Sequence, residues 1–582
     1  GVDNIGGLEY TQPYYWNLAP NRDITFFPTY WSNRGLRLGT EFRYLEGLAP
    51  FQPPFQGQMR FDYMEKDALR DGSRRWSMQY SHIGLANPAF AGGALGLNVN
   101  VNRVSDDNYW KDFAVIGGSG VQRLLSNDVG LNWSNGIYTY GIRTQMWQTL
   151  QDLSNLTGNR ITPPFNRVPQ FTARMQRINV NGFDFSMDGD LTRFQSARDY
   201  ECLNGASYRS ACAPNADRAV MLAQLSRPFT TPFGYLTPKL QLNSRSYQFS
   251  GGLPTSNAFY GDHQGQAGAS VSVPTFSLDT GVVFEKSARW LDRTWVQTLE
   301  PRIFYVYTPY RDQNYLPNYD SGGNSFNFAS IFTENAFGGH DRVSDSKMLT
   351  VGATSRFIDP DTGAEGARFG VAQRLRFKDQ RVTLPEDPTV AQAGISDILA
   401  GASINLTQQW SLDTTLQYDQ KTNNLLRRVI GGRYNPGSYR LINAALRTEN
   451  NTAGDPVSQQ VDIGWQWPLH DLWGGADNAS GRGLGEGRWY SVSRINYDLL
   501  NKKPVESIIG FEYDAGCWVS RVVTERLQIA EGVARQRILF QLEFIGFTRV
   551  GTNAMGSLVR NVPRYQSLNP ASLSPSRFGN YD

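Results

Sequence analysis

Residues 94–104, ALGLNVNVNRV, alternate between apolar and polar side chains. One face carries Leu95, Leu97, Val99 and Val101, and the other carries mainly asparagine. A period of two is typical of a β-strand, and helical spacing does not explain it. Because amides prefer water to lipid, the segment predicts a strand with one apolar face and one wet face.

The same alternation returns in segments spread along the chain, at residues 410–420, 461–467, 508–516 and 537–550. A soluble β-sandwich also alternates, so the pattern alone does not separate a sandwich from a membrane barrel. The connections favour the barrel. Short turns such as SNRG (32–35) and NKKP (501–504) occur beside long Gly/Asn/Asp-rich connections around 196–219, 309–346 and 468–488. Short turns at one end and long loops at the other are typical of outer-membrane barrels, and the length accommodates roughly two dozen strands.

Composition narrows the class further. The chain has 582 residues, an aromatic fraction of 13%, a net charge of +3 and a mean hydropathy of -0.45, with no internal linker. No run approaches the ~18 consecutive apolar residues of a membrane helix, which excludes a helical membrane protein. Basic residues are spread along the chain, which argues against nucleic-acid binding. We therefore predict an all-β chain that forms one large transmembrane antiparallel β-barrel over residues 1–550, with a polar tail at 551–582.

The chain begins at Gly1 without the features of a signal peptide, so we expect that such a peptide has been removed. Cys202 and Cys212 lie in a polar, loop-like segment and predict a local disulfide in an oxidising compartment. Cys517 is then left without a partner in this chain. The four histidines are far apart, and no residue pattern predicts a catalytic site, a metal site or a cofactor.

Four segments of the chain resemble one protein family. They are residues 7–45, GLEYTQPYYWNLAPNRDITFFPTYWSNRGLRLGTEFRYL, then TLEPRIFYVYTPYRDQ (298–313), FNFASIFTENAFGGHDRVSDSKMLTVGATSR (326–356) and FEYDAGCWVSRVVTER (511–526). Together they are similar to LptD (OstA), the lipopolysaccharide-assembly outer-membrane protein family, which has a barrel of 26 strands. The sequence departs from the family pattern at Ala336, His340 and Gly516.

The resemblance implies a lateral gate where the first and last strands of the barrel meet. The gate residues would be Pro13, Tyr14, Trp16 and Pro28 near the start of the chain, and Phe540, Leu542 and Phe544 on the closing strand. Proline lacks the backbone N–H, so it would weaken strand pairing there. Pro20 would only shape the short connection between Pro13 and Pro28. The alternative is that the prolines merely begin or end strands.

The resemblance also implies a function and partners. The barrel would be a lipopolysaccharide translocon, integral to the outer membrane of a Gram-negative cell and not an enzyme, with an LptE-type lipoprotein inside the lumen. An N-terminal periplasmic β-jellyroll domain, absent from this chain, would connect it to an LptA-type bridge and would form a disulfide with Cys517. The tail at 551–582 would be periplasmic. The alternatives are a large porin or a membrane-barrel enzyme.

Overall fold

The computed structural model describes residues 1–47, 55–113, 123–151, 161, 163–196, 213–255, 257–405, 407–473, 487–530, 533–545 and 548–568. Strands dominate this part of the chain. Among the described residues, no helix has both the length and the apolar character needed to cross a membrane. The segment that holds Cys202 and Cys212 lies outside the described residues, so their disulfide stays a prediction.

The elements follow one another along the chain as strands with two short α-helices between or after them. The strands are β1 (Val2–Asp3), β2 (Gly7–Thr11), β3 (Tyr14–Ala19), β4 (Arg22–Trp31), β5 (Gly35–Glu46), β6 (Phe55–Asp67), β7 (Ser73–Phe90), β8 (Gly93–Val104), β9 (Leu124–Ser134), β10 (Tyr138–Thr149), β11 (Asn166–Val180), β12 (Phe183–Gln195), β13 (Ala216–Ser226), β14 (Phe229–Thr231), β15 (Gly234–Phe249), β16 (Gly268–Val282), β17 (Phe284–Trp290), β18 (Arg293–Thr308), β19 (Gly322–Gly323), β20 (Phe337–Gly338), β21 (Ser346–Ile358), β22 (Glu365–Arg376), β23 (Gly394–Ile395), β24 (Ile398–Ile404), β25 (Trp410–Asp419), β26 (Asn424–Gly437), β27 (Arg440–Asn450), β28 (Pro456–Pro468), β29 (Arg488–Asp498), β30 (Lys503–Asp514), β31 (Trp518–Ala530), β32 (Val533–Phe544) and β33 (Thr548–Gly551). The helices are α1 (Tyr109–Asp112) and α2 (Ala554–Asn561), and 3₁₀ turns occur at Ala68–Arg70, Ala258–His263 and Leu469–Trp473.

The strands pair antiparallel with their neighbours in sequence, and β32 returns to pair with β1, so the sheet closes on itself. Four barrel strands are interrupted: β2 with β3, β13 with β14, β16 with β17, and β23 with β24 each pair along a single neighbour. Strands β1 and β33 likewise both pair along one edge of β32 and take a single position. Counted this way, and without the separate β19–β20 pair, the described residues form a closed barrel of 26 strands. This confirms the prediction of an all-β, large transmembrane antiparallel barrel.

The two faces of each strand differ as the alternation predicts. On β32, Ile538 and Phe540 are 49% and 50% exposed on the outer face, whereas Leu539 and Gln541 are 3% and 1% exposed on the inner face. Large apolar side chains therefore cover the outside, while many charged side chains are buried inside. A barrel in lipid requires this arrangement, because lipid takes up apolar side chains and leaves polar groups to the interior.

Connections of different length separate the two ends of the barrel. The end that we call the long-loop end carries connections 105–123, 150–165, 250–267, 309–345 and 377–393, and the opposite, short-turn end carries two-residue turns such as 181–182 and 291–292. Both residues of these turns have positive φ, as tight hairpins require. The separation is incomplete: the SNRG turn and connection 499–502 lie at the long-loop end, and connection 469–487 lies at the short-turn end.

The connection between β18 and β21 packs against the inner wall instead of extending as a solvated loop. Arg218 of β13 is fully buried and donates from Nη2 to Asp320 Oδ2 at 2.7 Å and from Nη1 to Asp341 Oδ1 at 2.8 Å. The ring of Tyr319 stacks on Phe194 with centroids 4.7 Å apart. Buried ion pairs and aromatic contacts thus fix this connection inside the barrel.

Two of the departures from the family pattern lie in that connection. The main-chain N–H of His340 donates to Asp320 at 2.9 Å, and Ala336 donates its N–H to Ser344 at 3.0 Å. Burial opposes ionisation of Asp320, but hydrogen bonds from His340 and Arg218 keep the pKa of its carboxyl well below the usual range. Asp320 is therefore a permanent anion in this network.

The described residues after β33 turn inward. Helix α2 buries Leu558 against Val523 and Leu539 of the inner wall, and the hydroxyl of Tyr565 donates to Glu512 at 2.6 Å. The described part of the segment that follows Gly551 therefore lines the lumen. Residues 569–582 lie outside the described part of the chain, and the assignment of 551–582 to a periplasmic tail stays a prediction.

We predict that Arg218→Ala lowers the barrel's stability by on the order of 3–5 kcal/mol, because it leaves Asp320 and Asp341 as buried carboxylates without their cation. The measurement is the temperature at which the folded band is lost in heat-modifiable electrophoresis. Arg193→Gln is the control, since Arg193 forms a solvent-exposed pair with Asp217 and its loss should leave that temperature unchanged. Equal effects of the two variants would contradict the structural role of the buried network.

Candidate functional site at the barrel seam

The barrel closes through β1, a strand of only two residues. Within the described residues, β1 pairs with β32 only at Val2↔Ile538 and Asp3↔Arg537, whereas β31 pairs with β32 from Trp518 to Ala530. We call the junction between β32 and the β1–β2 hairpin the seam. The β1–β2 junction also has only two residue pairs, Val2↔Leu8 and Asp3↔Gly7, so within the described residues strand pairing is limited on both sides of β1.

Side chains from opposite ends of the sequence support the seam at the long-loop end. Arg535 donates to the Asp3 carboxylate from Nε at 2.6 Å, and both side chains are almost fully buried. The main-chain N–H of Asn4 donates to Gln536 O at 3.0 Å, and the N–H of Gln536 donates to Asn4 Oδ1 at 2.9 Å. These contacts replace the ladder hydrogen bonds that a longer first strand would make.

A second ion pair lies one step further along the closing strand. Arg537 Nη2 donates to Glu9 Oε2 at 3.1 Å, which joins β32 to β2 across β1. Sequence reasoning did not select Arg535, Arg537, Asp3 or Glu9. A signal was present, since Arg535 and Arg537 are two residues apart on the polar face of the last alternating segment, but nothing in the sequence indicated their partners.

Beyond Ile538 the edge of β32 has a different neighbour. Strand β33 pairs with Gln541–Phe544 in the register Leu542↔Val550 and Phe544↔Thr548, and the N–H of Thr552 donates to Phe540 O at 2.8 Å. The predicted gate residues Phe540, Leu542 and Phe544 thus lie on the closing strand, but their seam-side backbone contacts β33. We expected this strand to pair directly with the strand that carries Pro13. Instead, β32 pairs with β1 near Ile538 and with β33 from Gln541 to Phe544.

A cavity of about 400 Å³ lies behind the seam, between the first barrel strands and the C-terminal segment. Its lining includes Thr11, Pro13, Arg537, Thr552 and Arg560. The strand that carries Pro13 and the segment that caps β32 therefore face each other across open space. Parting of the two sides would not require the removal of a packed core at this level.

The two predicted gate prolines lie where strand pairing is interrupted. Pro13 separates β2 from β3, and Pro28 lies inside β4 in register with Leu38. The N–H of Gln12 donates to Pro28 O at 3.1 Å. In an extended chain, successive residues direct their backbone groups to opposite edges, so Pro13 lacks its donor on the seam edge and Pro28 lacks one on the edge facing β2. Pro20 lies in the turn between β3 and β4.

The aromatic gate residues are on the outer surface. Tyr14 and Trp16 are each 60% exposed on the lipid-facing side of β3. Tyr and Trp in such positions are typical of the interfacial aromatic belts of membrane proteins. Their position fits a belt beside the seam, and their role as gate residues stays a prediction.

Cys517 is the remaining predicted site residue among the described residues. Cys517 is exposed in the turn before β31 and forms no disulfide within the described residues. In the same ranges, no group of three or more His, Cys, Asp and Glu side chains is placed to hold a metal ion. Among the described residues, the seam therefore consists of hydrogen bonds and ion pairs, with apolar side chains exposed on its outer face.

The fold defines the class, which is a large transmembrane antiparallel β-barrel. A family model described as LPS transport system D matches residues 73–473. Proteins named LPS-assembly protein LptD from Albidiferax ferrireducens, Polaromonas sp. and Acidovorax sp. are 50%, 49% and 49% identical to this chain, and their alignments cover all of it and 69%, 67% and 68% of the respective relatives. The chain belongs to the LptD family, as the sequence resemblance predicted.

The register at the seam gives a direct prediction. Cysteines introduced at Val2 and Ile538 should form a disulfide under mild oxidation, because directly opposed residues have Cβ atoms at ~4.5–5.5 Å. The measurement is the shift in gel mobility after oxidation in a Cys517→Ser background.

A pair displaced by two residues is the control. Val2→Cys with Phe540→Cys should crosslink far less, because Phe540 lies beyond the β1 register. If the displaced pair crosslinks more readily than the aligned pair, the register described for the seam is wrong.

Proposed function

We propose that this barrel is an outer-membrane translocon that delivers lipopolysaccharide to the outer leaflet and releases it sideways through the seam. The relatives' name, LPS-assembly protein, and the family description, LPS transport system D, support the substrate. The limited pairing of β1 with β32 supports the exit route. A glycolipid has a polar part and an apolar part, and a lateral exit lets the sugars stay in the polar lumen while the acyl chains stay in lipid.

The energetics favour separation at the seam over separation of two full-length strands. Each ladder hydrogen bond contributes about 0.5–1.5 kcal/mol net, so a junction stabilised by few such bonds separates at much lower cost than a full strand pair. Pro13 removes a donor on the seam edge, and the cavity behind it reduces the packing that separation must disrupt. The same features would be a defect in a barrel that never opens.

The proposal includes partners that lie outside this chain. An LptE-type lipoprotein would occupy the lumen, and an N-terminal periplasmic β-jellyroll domain would receive the glycolipid from an LptA-type bridge. Cys517 lies at the short-turn end and is exposed, so it is accessible to a disulfide with that domain. If the long loops face the cell exterior, the short-turn end faces the periplasm. No bond-making step is part of the proposal.

Locking the seam tests the function. Val2→Cys with Ile538→Cys should, once oxidised, abolish most delivery of lipopolysaccharide to the cell surface, because the strands can no longer part. The measurement is surface lipopolysaccharide in cells that depend on the variant, with the crosslink verified in the same sample.

A second disulfide on the same strand provides the matched control. Ile538→Cys with Thr524→Cys joins β32 to β31, its neighbour on the other edge, and should leave delivery intact. Full delivery with the seam crosslinked would rule out lateral release. A large porin, the alternative class, would conduct ions equally well with either crosslink and would not need an open seam.

The prolines give a graded test. Replacing Pro13 and Pro28 together by Val should slow delivery, because the change at Pro13 restores a donor on the seam edge and the change at Pro28 restores one towards β2, and each hydrogen bond so formed adds about 0.5–1.5 kcal/mol. The rate of surface delivery after induction is measured against Pro20→Ala, which changes the turn between β3 and β4. Unchanged delivery in the double variant would leave Pro13 and Pro28 as ordinary interruptions of strands.

A further inference from the structure

Residues 105–113, which follow β8 at the long-loop end, fold back over the barrel rim towards the seam. We call this segment the strap. It contains the short helix α1, in which Tyr109 and Asp112 are buried. A connection that leaves β8 has no need to approach the first strands, so its contacts there require explanation.

Asp112 anchors the strap to the barrel strands that follow the seam. Its carboxylate accepts hydrogen bonds from Arg34 Nη2 at 2.9 Å, Arg70 Nε at 2.8 Å and Arg75 Nη1 at 2.7 Å. Burial alone would raise the pKa of Asp112, but the hydrogen bond from Arg70 and the charges of Arg34 and Arg75 lower it to about 2. The carboxylate is therefore charged at any physiological pH.

Two further carboxylates complete the anchor. Asp67 accepts from Arg34 Nη1 at 2.7 Å and from Arg75 Nη1 at 2.8 Å, and Asp106 accepts from Arg75 Nε at 3.0 Å. Three arginines and three aspartates thus share one network, most of it buried. Because the charges balance and most carboxylates have several donors, the usual cost of burying ions is largely offset.

Aromatic contacts hold the end of the strap against the same strands. The ring of Phe113 lies 4.6 Å from that of Tyr109 and 5.8 Å from that of Trp31, centroid to centroid. The guanidinium groups of Arg37 and Arg75 lie over the Phe113 ring at 5.1 and 5.0 Å. Cation–π contacts of this kind add to the anchor where water is excluded.

One arginine connects this anchor to the other side of the seam. Arg535 of β32 donates from Nη1 to the main-chain O of Asp112 at 2.8 Å, and the same guanidinium donates to the Asp3 carboxylate from Nε at 2.6 Å. It is 5% exposed. A single buried side chain of the last strand therefore holds both β1 and the strap.

We propose that the strap crosses the seam and that Arg535 couples release of the strap to the parting of β1 from β32. The seam then has a closed end and a free end. Separation at the long-loop end must break the Arg535 contacts to both partners, whereas the cavity side has few contacts to lose. The seam would open from the short-turn end and stop at the strap unless the strap is released.

The coupling itself follows from the contacts described here, and its use in lipopolysaccharide release rests on the proposed function. The test therefore measures the coupling without any lipopolysaccharide. Amide hydrogen exchange is followed by mass spectrometry on the purified full chain in nanodiscs, in peptides that cover residues 2–5, 105–113 and 534–538.

Arg70→Gln is the deciding variant. Arg70 is half-buried and contacts Asp112 on the strap, far from β32 in the sequence. Its loss should accelerate exchange in the strap and also, by about tenfold or more, in residues 534–538, because the loosened strap no longer holds Arg535. Arg535→Gln should accelerate exchange in all three peptides.

Arg302→Gln is the matched control, since Arg302 has similar exposure and pairs with Asp279 at 2.6 Å on a distant part of the wall. It should leave the three peptides unchanged. Acceleration in 105–113 alone in Arg70→Gln, with residues 534–538 at the wild-type rate, would overturn the coupling and make the strap a local cap. That result would not contradict lateral release. Conversely, defective delivery in a variant whose hydrogen exchange shows normal coupling would point to the backbone pairing between β1 and β32.

Discussion

The rest of this structure depends on one constraint, the need to hydrogen-bond every strand edge in surroundings that offer no water. A sheet in lipid satisfies it only by closing on itself, so 26 strands must return the last edge to the first. The closure is achieved with a very short strand, β1, and the remaining edge of β32 is paired by β33. The sheet is therefore closed, although few residue pairs join β1 to β32.

The interior follows from the same requirement. Outward positions must be apolar, so charged residues are confined to the lumen, where they are stabilised by pairing with one another. Arg218 with Asp320 and Asp341, and Arg521 with Glu512 at 2.7 Å, are buried examples on different parts of the wall. Such networks hold inward-folded segments in place, including the connection between β18 and β21. They leave a polar lining that is compatible with the passage of sugars.

The seam combines limited strand pairing with buried ion pairs. Its backbone pairing is limited, and the ion pairs of Arg535 and Arg537 that support it are buried and lie towards the long-loop end. The C-terminal segment occupies the other level, where α2 packs on the inner wall and β33 covers the edge of β32. In the proposed function, such a junction would stay closed at the long-loop end and part at the other, which a uniform strand pair would not do.

The alternation in ALGLNVNVNRV and its repeats determined the strands and their two faces, because the direction of a side chain on a strand is a local property. The chain length and the pattern of short and long connections then favoured the barrel over a sandwich. The family resemblance also followed from the sequence, as did the selection of Pro13 and Pro28 as residues that lack a donor for strand pairing. Which residues contact one another was decided only by the tertiary structure. Asp3 and Arg535 are 532 positions apart, and Asp112 meets Arg535 across 423. The closure of the whole sheet decides which strands pair across the seam, in what register, and which loops fold inward. No local sequence pattern encodes these features.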